Sequence, residues 1–199
     1  MIIRDIKSMS NAGSAVLAYF YFDFKDTEKQ DLHALLSSLL IQLSDQSDVF
    51  FDTLFSLYSA YRKAAETPAD DSLAECLKDM LEIKGRVPIY LVIDALDECP
   101  NDTGIPSSRE RVLELVKELV ELRLPNLHLC ITSRPEFDIH TTLKPLASQQ
   151  MSLHDESGQK QDIIDYVTSV LHSDKKMKKW RDMDKNMVVK KLSEKADGM

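Results

Sequence analysis

Glycine, cysteine and tryptophan are scarce in this chain of 199 residues, which holds five, three and one of them. The cysteines, Cys76, Cys99 and Cys130, are odd in number and form no C-x-x-C pair. That excludes a disulfide framework and a thiolate zinc site, and points to reduced thiols in a cytosol-like compartment. The five histidines, His33, His128, His140, His154 and His172, are scattered singly. No H-E-x-x-H and no G-x-S-x-G occurs, so zinc-peptidase and serine-hydrolase chemistry have no foothold. No apolar run approaches the roughly 20 residues of a membrane span. The opening MIIRDIKSMSNAG carries Arg4, Asp5 and Lys7 and has no long apolar centre, so it is not a secretory signal. The net charge is −8 and the pI about 5.1, which leaves no electrostatic footprint for nucleic acid. The lysines between Lys175 and Lys179 are flanked by Asp174, Asp182 and Asp184 and read as a solvated helix face.

Apolar residues make up 43% of the chain and charged residues 29%, enough for a core in one domain or one large fragment. Ile2, Ile3, Ile6 and Met9 fall at helical spacing, ended by Asn11 and Gly13. The run AVLAYFYFDF, Ala15 to Phe24, predicts a strand buried on both faces. Thr27 is placed to cap a helix through Leu43, with Leu32, Leu35, Leu36, Leu39, Leu40 and Leu43 as its core stripe. A second helix is expected from Asp48 to Ala65 with Phe51, Leu54, Phe55, Tyr58 and Tyr61 inward, and a third from Asp70 to Lys84. Pro88 opens a strand, Ile89 to Ile93. Ser107 or Ser108 caps a helix to about Leu122, and Leu127, Leu129 and Ile131 make a strand that Pro135 stops. A weaker strand is expected at Gln149 to Asp155, with helices at 157–171 and 184–196. Strands separated by helices predict an α/β fold with a parallel sheet covered on both faces, whose ligands bind at the C-terminal strand ends.

Asp23, Asp94 and Arg134 fall at those ends. In IYLVIDALDECP, Asp94 is placed to face a hydrated Mg²⁺, a hard ion that takes one or two carboxylates plus waters and phosphate oxygens. Asp97 or Glu98 lies one turn on and is placed to orient or deprotonate an attacking water. Arg134, in LHLCITSRPE, is placed to touch a terminal phosphate. The plain alternative makes Asp94 a cap acceptor and Arg134 half of a salt bridge.

LVIDALDECP resembles the Walker B segment of NACHT-type signalling NTPases, in the STAND group of P-loop proteins, and LHLCITSRPE resembles their sensor-1 strand. YFYFDFKDTEKQDLHALLSSLLIQL, Tyr19 to Leu43, resembles the second strand and next helix of the nephrocystin-3-like N-terminal branch. The resemblance implies a three-layer P-loop fold in a multidomain nucleotide switch that signals through protein partners or self-association. It makes Asp94 the Mg²⁺-organising carboxylate, Asp97 and Glu98 the acidic pair near the hydrolytic water, and Arg134 the γ-phosphate sensor. Asp23 and Asp26 receive no such role and read as local caps.

The family's phosphate cradle, G-x-x-x-x-G-K-[ST], has no counterpart: Gly13, Gly85, Gly104, Gly158 and Gly198 are none of them followed by Lys. The resemblance places the cradle and the first, central strand ahead of Met1. The expectation is therefore an incomplete core over residues 1–155 and the start of a following helical region over 156–199, a fragment unable to bind ATP or GTP alone. A non-enzymatic pseudo-NTPase scaffold is the alternative. A free-standing metal-dependent hydrolase built on Asp94, Asp97 and Glu98 ranks third, because no nucleophile or ligand set accompanies them.

Overall fold

The structure, a computed structural model, describes residues 2–83, 85, 87–152 and 157–195. The chain divides into two compact units, Met1–Ala147 and Ser148–Met199. The first contains α1 (Ile2–Asn11), β1 (Val16–Tyr21), α2 (Leu32–Ser44), α3 (Asp48–Ala64), α4 (Asp70–Glu82), β2 (Ile89–Asp94), α5 (Ser108–Glu121), β3 (Leu127–Ile131) and α6 (Phe137–Leu143). The second contains α7 (Ser157–Ser173) and α8 (Asp182–Lys195), which pack on each other.

The three strands form one parallel sheet in the order β1-β2-β3. Val16 pairs with Ile89 and Ile89 with Leu127, so the C-terminal ends of all three strands lie together. Helices fill each crossover, as parallel strands require. Leu91, Val92 and Ile93 of β2 are buried, and the leucine stripe of α2 is buried from Leu32 to Leu43 as its spacing predicts. Leu77, Met80 and Leu81 of α4 and Val112, Val116 and Leu119 of α5 complete the same core. Gly13, at φ +69, ends α1, its N–H donating to Ser10 O at 2.9 Å. Ser107 and Glu110 form a reciprocal capping box on α5.

β1 is an edge strand, yet four of its six residues are buried. Its outer backbone groups are met by two side-chain amides, Gln42 on α2 and Gln46 just past the helix end. Gln46 accepts from Leu17 N–H at 3.0 Å and donates to Leu17 O at 2.7 Å. Gln42 does the same for Tyr19, at 3.1 and 2.7 Å. One helical turn apart, the two glutamines occupy the outer edge of β1 as a fourth strand would. β3 has no such cover. Among the described residues its outer edge receives no side-chain partner, Leu127 N–H turns back to Leu124 O at 3.2 Å, and Leu127, Leu129, Cys130 and Ile131 stay half-buried.

The structure corrects several expectations. Thr27 does not cap α2: Thr27–Lys29 is a separate 3-10 turn capped by Asp26, and Asp31 caps α2 by accepting from Ala34 N–H at 2.8 Å. A carboxylate is the better acceptor for orphan N–H groups, and Asp31 stands directly before the leucine stripe. On α3 the inward set is rotated. Phe50 is buried, whereas Phe51, Phe55 and Tyr58 are each more than half exposed. Aromatic residues stand on both sides of this helix, so the pattern did not single out one face. No strand forms over 149–152, and the rest of that expected strand lies outside the described residues. α6, hidden behind Pro135, was not foreseen.

Candidate functional site

The parallel register delivers Asp94, the Asp97–Glu98 pair and the Thr132–Arg134 segment to one end of the sheet. Phe22 N–H donates to Asp94 O at 3.1 Å, and Thr132 N–H to Ile93 O at 2.9 Å, extending the ladder past the last strand residue on both sides. The Asp94 side chain accepts the Thr132 hydroxyl through Oδ1. Thr132 Oγ1 in turn accepts from Ala95 N–H at 3.0 Å, and Thr132 O from Leu96 N–H at 3.0 Å.

Ala95 sits at φ 54, ψ 46, in the left-handed region. For a residue with a Cβ this costs about 1–2 kcal/mol. It reverses the chain directly after Asp94, drops Leu96 into the core at 0% exposure, and opens a 3-10 turn over Leu96–Glu98. The turn carries Asp97 back over the sheet end to Arg134. Asp97 Oδ1 accepts Arg134 N–H at 2.9 Å, and Oδ2 lies 3.5 Å from Arg134 Nε. The Asp97 side chain is only 8% exposed, while that of Arg134 is 80% exposed. Glu98 Oε2 accepts Phe24 N–H at 3.2 Å, tying the loop after β1 to the turn.

Sequence reasoning missed the residue beneath this turn. Arg109, 8% exposed in the first turn of α5, donates to Cys99 O at 2.9 Å and to Asp97 O at 2.7 Å, and pairs with Asp138 at 3.3 Å. The signal was available: a cation in the first turn opposes the helix dipole and calls for a nearby acceptor. Thr132, which joins Asp94 to the β3 end, was also missed.

Asp97, Glu98, Arg109, Arg134 and Glu136 line an open cleft of about 380 Å³ beside the turn; Asp94 lies outside its lining. Three carboxylates and two guanidinium groups leave the cleft with no strong excess of either sign. The thiol of Cys99, which also lines it, is pushed up to about 12 by burial, although Arg109 pulls the other way. Burial, then Asp94, also raises Cys130. Neither is a thiolate near neutral pH, so thiol nucleophile chemistry has no carrier here.

For Mg²⁺ the fit is partial. Among the described residues no group of three or more His, Cys, Asp or Glu side chains could hold a metal ion. Asp94 has one oxygen engaged by Thr132 and the other without a protein donor among the described residues. One carboxylate suits a hydrated ion whose remaining ligands are water and phosphate, and is too little for a resident protein-bound metal. Of the plain alternative one contact is present, the pairing of Arg134 with Asp97; Asp94 accepts a side-chain hydroxyl, from Thr132, and no backbone N–H among the described residues.

A family model, nephrocystin 3, N-terminal, matches residues 1–134. No curated protein matches the chain, and no solved structure does.

Proposed function

The chain belongs to the nephrocystin 3, N-terminal family, and from that premise we propose that its sheet end is the cation-and-sensor side of a NACHT-type nucleotide switch. One observation carries the reading. Asp94 and Arg134 leave neighbouring parallel strands and are linked through a single turn, by Thr132 on one side and Asp97 on the other. Residues 1–155 are then the NTPase part and 156–199 the start of the next helical region.

When bound, Mg²⁺ neutralises developing charge on the phosphates. Asp94 would hold its water shell through the oxygen that Thr132 leaves free. Arg134 is almost wholly exposed and reaches a terminal phosphate by leaving its long contact with Asp97. Asp97, with both oxygens turned to Arg134, parks and orients that sensor. Glu98 keeps Oε1 free among the described residues and is the better candidate to orient water. Because the cradle's backbone N–H groups and lysine are not among these residues, the chain alone should show no saturable ATP·Mg²⁺ binding below about 1 mM, an affinity of about 4 kcal/mol. Micromolar binding that Asp94→Ala abolishes would overturn this statement.

The second reading is a pseudo-NTPase interaction scaffold, favoured by the pairing with Arg134 that engages both oxygens of Asp97. The two part company once a cradle-bearing strand and loop are joined ahead of α1. The switch reading expects ATP hydrolysis that falls about 10²-fold or more in Arg134→Ala. The scaffold reading expects no hydrolysis in either protein.

A further inference from the structure

α3 carries a second surface unrelated to the sheet end. Between α2 and α3 lies a groove of about 330 Å³ with an almost wholly apolar lining that includes Ile41, Leu54, Phe51, Phe55 and Tyr58. Phe51 and Phe55 stack at 6.0 Å and 15°, and the exposed fractions of Ile41, Phe51, Phe55 and Tyr58 lie between 54% and 56%. Large apolar side chains contiguous and half in water mark an interaction surface.

The charges around the groove name the partner. Along the exposed stripe of α3, Asp48 and Asp52 stand at the N-terminal end and Arg62 and Lys63 at the C-terminal end. None of the four makes an ion pair among the described residues, and the Tyr58 hydroxyl makes no hydrogen bond among them. Acid at one end, base at the other and aromatics between make a pattern complementary to its own reverse. A two-fold axis through Phe55 sets Asp48 opposite Arg62 and Phe55 opposite itself. A parallel pairing would instead set like charges on each other.

We propose that α3 is an isologous self-association surface, on which two copies of this chain pack α3 antiparallel about Phe55, each filling the α2–α3 groove of the other. Asp48 of each copy then meets Arg62 of the other. One helix and a groove amount to less than the roughly 800 Å² per partner of a standard interface. The expected dimer is therefore weak, with a dissociation constant on the order of tens of micromolar. The inference is independent of the nucleotide reading.

The test is sedimentation equilibrium of the full chain up to about 200 μM, with circular dichroism as a folding check. Wild type should show a monomer–dimer equilibrium, and Phe55→Glu should be monomeric throughout. Asp48→Lys and Arg62→Asp should each weaken association at least 5-fold, by facing like charges, and the double variant should return to within 2-fold of wild type. The double variant opposes the α3 dipole at both ends, so its recovery cannot come from a more stable helix. A monomeric wild type, a dimer insensitive to Phe55→Glu or to the charge reversals, or a double variant weaker than either single one would each overturn the proposal. If Phe55→Glu fails to fold, the charge series decides alone.

Discussion

Arg109 shows how much one side chain holds at the sheet end. Its guanidinium takes two backbone carbonyls and one carboxylate, at 8% exposure. Arg109→Met keeps the apolar stem and removes every donor, which leaves Cys99 O and Asp97 O with lost partners. A destabilisation of about 2–4 kcal/mol is expected in urea unfolding; a change below about 0.5 kcal/mol would show that the turn is held by other contacts. The thiols give a second prediction at this scale. Burial raises Cys76 from 9.0 to about 11 and Cys99 from 9.0 to about 12. The folded state therefore keeps these protons where the unfolded state has lost them. Stability owed to the neutral thiols is complete below about pH 9 and falls as pH rises from 9 towards 12. The alkaline slope should be shallower in Cys76→Ala/Cys99→Ala than in wild type, read as unfolding free energy against pH. Equal slopes would contradict it.

At the scale of elements, α2 does two jobs that differ in how legible they are. Its leucines read directly as a core stripe, because burial follows spacing. Gln42 on the helix and Gln46 just past its end read as ordinary surface polar residues, because their partners, Tyr19 and Leu17, are more than twenty positions away and belong to a different periodicity. Gln42→Leu/Gln46→Leu leaves four backbone groups of β1 without these partners. A fully buried unsatisfied group costs about 1–3 kcal/mol, but these four are only part-buried and water can reach the opened edge, so a combined loss of about 2–4 kcal/mol is expected, with faster aggregation on heating as the β1 edge opens. Unchanged light scattering and unfolding would mean that the edge is protected otherwise. α3 shows the opposite failure. Phe51, Phe55, Tyr58 and Tyr61 were assigned inward because size and apolarity were taken as burial, while Phe50, the one that is buried, was passed over; Phe51, Phe55 and Tyr58 face outward as a coherent patch. The start of α2 was misplaced for a simpler reason: Thr27 and Asp31 are both good caps, and local preference does not rank them against the 3-10 turn between them.

For the whole molecule, the α/β class and the three parallel strands were readable from alternating apolar runs and helical stripes. The meeting of Asp94 with the Arg134 turn was readable because parallel strands place their C-terminal ends together. What was not readable is the linkage: Thr132 and Arg109 act through the backbone of a turn created by the left-handed Ala95, and no spacing rule announces that conformation. Among the described residues no helix is long and apolar enough to cross a membrane. The outer edge of β3 is left half-buried.

The central claim is that Asp94 faces the cation of a bound nucleotide while Arg134 senses its end. Its most direct measurement is ATP affinity with Mg²⁺ and with EDTA, in the chain joined to a cradle-bearing strand and loop. Wild type should bind at least 10-fold more tightly with Mg²⁺ than with EDTA, and Asp94→Ala should lose that difference while matching wild type in EDTA. An Asp94→Ala protein that keeps the full Mg²⁺ advantage would contradict the account.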